Sequence, residues 1–335
     1  MTMHYRPTRR HVLAGAGGTA LAAACILPAR AADQVTLRLN WILNGVFSLF
    51  YNGRDKGFYR DEGIDLTIGE GQGSGLTVQS VAAGGDMFGL ADGGSIILGA
   101  SKGAGVRAIM GIMNKSPYVI SMRADSGVRT VKDLPGKTIA VTPGEAGLPL
   151  LQAIWKANDI DPSSVHLLNV DGAAKMVAVL NKRTDGLLAG LDSQVVILKH
   201  KGLEQVILPY ADLGVNTQGV SMFTTNAMLE KNPDLVRRLV RATVRSMQEA
   251  QKDPAETVAA GIKAKPEQDR SMFNDQLAAA ATLFYAPGDK AHRLGFMMEE
   301  DWARTLDLMK RYQDLKTDKK ATDFFTDSYL PDKAA

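Results

Sequence analysis

The sequence predicts an α/β fold divided into two lobes, and three observations predict it. A strand, a glycine turn and a helix follow one another from Ile64 to Ala83 and again from Thr138 to Ala157. Short apolar or alternating strand segments are interleaved with helical ones as far as Thr224, the pattern of sheets with helical crossovers. The chain has 335 residues, more than a single hydrophobic core usually holds.

Residues 1–31 stand apart from both lobes. Thr8-Arg9-Arg10-His11-Val12-Leu13 precedes an apolar run to about Leu27, and Ala29-Arg30-Ala31 offers a small-x-small cleavage site. This segment resembles a twin-arginine signal peptide, although Val12 and Ala14 depart from the usual pattern and leave a general secretory route open. Cys25, the sole cysteine, lies inside the leader and is either removed with it or lipidated. Cleavage near Ala31 leaves no thiol for a disulfide, a thiolate nucleophile or a cysteine metal site. Four of the 39 basic residues and none of the 36 acidic ones belong to the leader, so the exported chain carries 35 against 36. That balance gives no reason to expect nucleic acid or an anionic membrane as partner.

Val35 to Trp41 alternates as the first strand. Trp41 at its carboxyl end either stacks on a ligand ring or plugs the core, and Asn44 either caps the next helix or bonds a ligand. Among the aromatics that follow, Phe47 is the one nearest a cleft containing Trp41. Ile64 to Ile68 is a strand. Gly69, Gly71, Gly73 and Gly75 then allow a turn closed to other residues, with Ser74 expected as the helix cap. The start of the helix from Gly75 to Ala83 is a ready anion site, because its first N–H groups lack intrahelical partners and its dipole favours negative charge. Phe88 to Ala91 reads as a buried strand ending in a second glycine turn, Asp92-Gly93-Gly94-Ser95, at the sheet edge where α/β proteins bind ligands.

Val106 to Ile112 and Tyr118 to Met122 are further strands, and Arg107 or Arg123 is available to add a full positive charge to a site. The strand Thr138 to Val141 ends at Thr142-Pro143-Gly144-Glu145-Ala146-Gly147, a second helix start suited to an anion, before the helix Leu148 to Ala157. Val165 to Val170, the helix Ala173 to Leu180 and the short strand Leu187 to Ala189 follow. Asp192 either faces the cleft or caps the helix Gln194 to Lys201. Val206 to Leu208 and Val220 to Thr224 complete the strands, the last returning the chain to the first lobe, and everything from Pro233 onward is expected to be helical.

Enzyme signatures are absent from the sequence. There is no GxxxxGK[ST] and no GxGxxG in a strand–helix context, and Ser95 has Ile97 where the second Gly of a nucleophile elbow would stand. His166, His200 and His292, the histidines outside the leader, have no metal-ligand spacing.

Trp41-x-x-Asn44, Asp55-Lys56-Gly57-Phe58-Tyr59 with Gly63-Ile64-Asp65, Ala82-Ala83-Gly84-Gly85-Asp86, Asp133-Leu134-Pro135-Gly136-Lys137 with Thr138 to Val141, and Asn232-Pro233 form an ordered set over about 35–265. The set resembles the solute-binding proteins of ABC importers of the nitrate, sulfonate and taurine type, with their thiamine-pyrimidine relatives. The resemblance implies a type II periplasmic binding protein, two α/β lobes joined by two hinge crossings, located in the periplasm. It implies one lobe from 32–121 plus 217–335, another from 122–216, and crossings near Ser121 to Asp125 and Gly214 to Ser221. Carried over by position, Trp41, Asn44, Ser74, Gly75, Asp92, Gly93, Ser95, Thr142, Glu145 and Gly147 would line the cleft, with Phe47 and Asp192 beside them. The sequence departs from the pyrimidine-binding pattern at Leu43 and Phe47, where Pro and His are usual, and it lacks the histidine and cysteine cluster of the related pyrimidine-making enzymes.

The expectation is a monomeric binding protein without catalysis, cofactor or metal. It captures a small anionic solute, a sulfonate or carboxylate, and hands it to a permease and its ATPase. Helix-start N–H groups and the hydroxyls of Ser74, Ser95 and Thr142 hold the charge, while Trp41 and Phe47 pack on the body. A thiamine-precursor pyrimidine, or an enzyme on the same fold, is the alternative.

Overall fold

In the first sheet, alternation places Val35, Leu37, Ile64 and Leu66 on the buried face of neighbouring strands, and the chain folds around them in β–α succession. The elements are β1 (Asp33–Arg38), α1 (Ser48–Asp55), α2 (Phe58–Asp61), β2 (Ile64–Gly69), α3 (Ser74–Ala82), β3 (Phe88–Asp92), α4 (Gly93–Ser101) and β4 (Val106–Gly111). A second run follows: β5 (Tyr118–Arg123), β6 (Thr138–Val141), α5 (Gly147–Ala157), β7 (His166–Asn169), α6 (Gly172–Leu180), β8 (Gly186–Gly190), α7 (Gln194–His200) and β9 (Gln205–Pro209). Then come β10 (Val220–Thr225), α8 (Asn226–Lys231), α9 (Pro233–Lys252), α10 (Pro254–Ala264), α11 (Arg270–Ala281) and α12 (Glu299–Tyr312). This computed structural model describes Met1, residues 31–286 and residues 288–331, so the leader, with Arg9, Arg10 and Cys25, lies outside the described residues.

Two five-stranded sheets result, ordered β2-β1-β3-β10-β4 and β7-β6-β8-β5-β9. Each contains one strand that arrives from the other sheet and runs antiparallel to its neighbours: β10 lies between β3 and β4, and β5 between β8 and β9. The first crossing was expected at Ser121 to Asp125, with residues to 121 in the first lobe. Instead Tyr118 to Arg123 is bonded along its whole length to β8 and β9, so the chain changes lobe over 112–117. The signal for this sits in the sequence as Asn114-Lys115-Ser116-Pro117, a turn that no strand of the first sheet continues.

The first lobe packs Leu37, Leu90, Ile109 and Met222 against α1 and α9 to α11 on one face, and Val78, Ile97, Phe223 and Trp302 on the other. In α9, Leu235, Val236, Leu239, Val240, Val244 and Met247 form a single apolar stripe, and Pro233 stands in the first turn, where its missing N–H costs nothing. The second lobe buries Ile120, Val141, Ile154 and Leu188 with Trp155 on one face and Val119, Val179, Leu187 and Leu198 on the other. Leu308 of α12 joins the second lobe's core, so the C-terminal helices touch both lobes.

Two sequence expectations fail in the loops. Asp92 to Ser95, read as a glycine turn, is instead the cap and first turn of helix α4 (Gly93–Ser101), because Asp92 caps it and Ile96 and Ile97 are buried behind the sheet. The tail is not continuously helical: residues 282–286, 288–298 and 313–331 are largely irregular, with Phe324 and Phe325 packed against the first lobe's core.

Candidate functional site

The carboxyl ends of β1, β6 and β8 and the amino ends of the antiparallel β5 and β10 all point to the gap between the sheets. Ligands collect at that edge in open α/β folds, because the loops leaving the strands there are free to diverge. The gap is a narrow cavity of about 60 Å³. Its walls come from Asn40, Trp41, Asn44 and Phe47 after β1, Ser74 at the start of α3, Tyr118 of β5, Glu145 and Gly147 after β6, Asp192 to Gln194 after β8, and Tyr210.

The two lobes touch across this cavity. The Gly75 N–H donates to the Gly144 carbonyl at 3.3 Å. Gly73, at φ +123°, leaves room there that no side chain could share, since a β-carbon would lie 2.4 Å from the same carbonyl oxygen. Trp41 reaches from the first lobe to the start of α6, where Lys175 Nζ stands 5.5 Å from its ring centre. His200 of α7 and Asp275 of α11 make a 2.7 Å bond between the lobes.

Of the residues expected at the site, the structure brings together Trp41, Asn44, Phe47, Ser74, Glu145, Gly147 and Asp192. Gly75, Gly93, Ser95 and Thr142 do not line this cavity, and neither does Asp92, although its charge acts on Tyr118. The expected anion sites are already occupied by the protein itself. The Gly75 N–H is bonded to Gly144, the Gly93 N–H points at the Gln218 and Gly219 carbonyls, and the Ser95 N–H donates to Asp92 at 3.1 Å. The Thr142 N–H donates to Glu145 Oε1 at 2.7 Å. Ser74 is not the cap of α3, a position held by Gly73; its Oγ accepts the Asp92 N–H at 3.2 Å and a 3.4 Å bond from Asn40 Nδ2. Asn44 is a turn residue, its Oδ1 accepting from the Val46 and Phe47 N–H groups. Neither arginine reaches the cavity. Arg107 bonds the carbonyls of Phe325 and Thr322, and Arg123 bonds Asp125 and the Thr184 carbonyl.

The charge that does face inward is negative. Asp192 is buried, has no side-chain donor among the described residues, and burial pushes its carboxyl up to about 6. Burial also raises Asp92, whose Oδ2 has no hydrogen-bond partner, against the opposing bonds from Ser95 and Ser74. Glu145 is raised by burial, and Lys175, fully buried, is lowered by it; the two are bonded to one another. No lysine or arginine lines the cavity among the described residues. Burial and then the Asp92 charge push the Tyr118 phenol well above its usual value, so it stays a donor.

Asn40, Tyr118, Gln194 and Tyr210 were not expected here. The Gln194 Oε1 accepts from the Gly190 N–H at 2.8 Å and from Ser193, and the Tyr210 hydroxyl donates to the Gly147 carbonyl at 3.0 Å, so both stiffen the walls. Asn40 keeps its Oδ1 without a partner. The cavity therefore offers acceptors, Asp192 and Asn40, among the aromatic side chains of Trp41, Phe47 and Tyr118. Such a wall suits a planar molecule that donates N–H or O–H bonds or carries positive charge.

Residues 44–257 match the family model described as NMT1/THI5 like. The chain is 25% identical to the riboflavin-binding protein RibY of Chloroflexus aurantiacus, over 89% of this chain and 86% of that one. It is 24% identical to the 4-amino-5-hydroxymethyl-2-methylpyrimidine phosphate synthase of Legionella pneumophila, over 90% and 93%. The periplasmic aliphatic sulphonate binding protein SsuA of Escherichia coli superposes with a TM-score of 0.67 at 13% identity, over 87% of this chain and 91% of that one, which shows the fold. With two lobes in the periplasmic binding protein arrangement and the family model matched over more than half its length, the chain belongs to the NMT1/THI5-like family.

Proposed function

We propose that this protein is the periplasmic binding component of an ABC importer and that it captures a nitrogen heterocycle rather than an anion. The observation that carries the reading is Asp192, a buried carboxylate on the cavity wall that no cation among the described residues neutralises. A sulfonate or carboxylate placed there meets like charge at short range in a medium of low dielectric, where repulsion is strong. A ring N–H, an exocyclic amine or a protonated ring nitrogen instead completes the hydrogen bonding that Asp192 and Asn40 lack. Two relatives are named for a flavin and a pyrimidine, in keeping with a heterocycle.

The contacts at Gly75, Trp41 and His200 hold the lobes together around a cavity of about 60 Å³, so a heterocycle enters only after they part and widens the cavity as they close on it, and the closed form is what a permease and its ATPase accept. The protein acts as a monomer and releases its ligand unchanged. The test is thermal-shift screening of the purified protein against riboflavin, lumiflavin, 4-amino-5-hydroxymethyl-2-methylpyrimidine and alkane- and arenesulfonates, followed by mass analysis of the bound compound. A heterocycle raises Tm and is recovered intact. Stabilisation by sulfonates alone, or recovery of a product, contradicts the reading.

A further inference from the structure

Trp41 lines two spaces at once. One face of the loop that carries it closes the cavity, and the other borders an open groove of about 740 Å³ between the lobes. The groove is walled by Ile42, Gln72 and Leu76 from the first lobe and by Thr142, Asn169 and Asp171 from the second. Ile42 and Leu76 are 47% and 44% exposed, in a lobe that otherwise buries its large aliphatic side chains. Thr142 is only 6% exposed, yet its Oγ1 has no hydrogen-bond partner. The partition itself is thin. Trp41 is partly exposed and rests by its ring edge on Gly172, a residue with no side chain to hold it.

We propose that the groove is the second compartment of the ligand site, with Trp41 as the wall between the two. It takes an uncharged hydroxylated chain attached to the ring held in the cavity. This rests on the heterocycle reading above and extends it to the ligand's substituent. The lining chooses the chemistry. Among the described residues no lysine or arginine lines the groove to meet a phosphate, and Asp171 adds a negative charge. The amides of Gln72 and Asn169 both donate and accept, which matches the alcohols of such a chain. Ile42 and Leu76 cover the carbon backbone of such a chain. A chain leaving the ring passes beside the indole, whose edge stays seated on Gly172.

The experiment compares lumiflavin, a ring bearing only methyl groups, with riboflavin, the same ring bearing a hydroxylated chain, by isothermal titration. The proteins are wild type and the Gln72→Ala/Asn169→Ala double variant. Both side chains are exposed, so the variant keeps its fold. Riboflavin binds wild type about tenfold more tightly than lumiflavin, and the double variant loses that advantage while holding lumiflavin as before. Equal affinities for the two compounds in wild type, or equal losses for both in the variant, overturn the groove compartment and leave the heterocycle reading standing. If no flavin or pyrimidine ring binds at all, the heterocycle reading falls and the compartment with it.

Discussion

The edge of Trp41 meets Gly172 across the cleft so closely that a β-carbon on Gly172 would fall 2.7 Å from Cζ2 of the indole. A side chain there opposes closure and leaves each lobe intact. Gly172→Val should therefore weaken ligand binding by ten- to a hundredfold, the effect of an overpacking penalty of about 1–3 kcal/mol, with little change in the Tm of the unliganded protein. Small-angle scattering of the variant with saturating ligand should show a larger radius of gyration than wild type, and identical curves would refute the seat.

Asp192 gives the protein a pH signature. Its carboxyl is raised from 3.8 to about 6 by burial, so between these values the folded protein holds a proton that the unfolded chain has lost. Stability then falls as pH rises through that window, and above it the burial cost is constant at about 3 kcal/mol. Asp192→Asn removes that cost. Unliganded Asp192→Asn should melt several degrees above wild type at pH 7.5 and close to it at pH 4, and a variant less stable at pH 7.5 would count against an unpaired carboxylate.

Lys175 and Glu145 depend on each other. Removing the ammonium strands a buried carboxylate, so Lys175→Met should cost about 3 kcal/mol in urea unfolding. The double variant Lys175→Met/Glu145→Gln should recover most of it. No recovery would show that Lys175 is held by something other than this pair.

His200 and Asp275 make the one imidazole–carboxylate bond between the lobes among the described residues, and both are partly exposed, Asp275 at 53%. Solvent screens such a bond. His200→Ala is expected to lower ligand affinity less than fivefold, with the difference shrinking as salt rises. A larger loss, or one unaffected by salt, would mean the contact does more than close the lobes.

Strand and helix order was readable because periodicity is a local property: Thr138 to Val141 and Pro254 to Ala264 lie where the sequence puts them. Helix α4 was hidden by Gly93 and Gly94, which look like a turn until Asp92 is seen to cap them. The helix-start N–H groups expected to be free are taken for a related reason. Glycine turns before helices signal free N–H groups, but Gly144, Gln218 and Asp92 reach those groups from other parts of the fold, and no sequence pattern shows them doing so. Asp192 was readable as facing a cleft or capping a helix, and the structure decides for the cleft because Ser193 takes the cap position of α7. Tyr118 and Tyr210 left no local trace. They meet, 6.4 Å apart, only because β5 and the segment after β9 lie side by side.

The most direct measurement is isothermal titration at pH 5 and pH 7.5 of riboflavin, 4-amino-5-hydroxymethyl-2-methylpyrimidine and benzenesulfonate against wild type and Asp192→Asn. An ionised Asp192 that accepts from the ligand predicts that a heterocycle binds wild type at least fivefold more tightly at pH 7.5 than at pH 5, and that Asp192→Asn abolishes the difference. Benzenesulfonate binding more tightly than either heterocycle, and tightening as pH falls through 6, would contradict it.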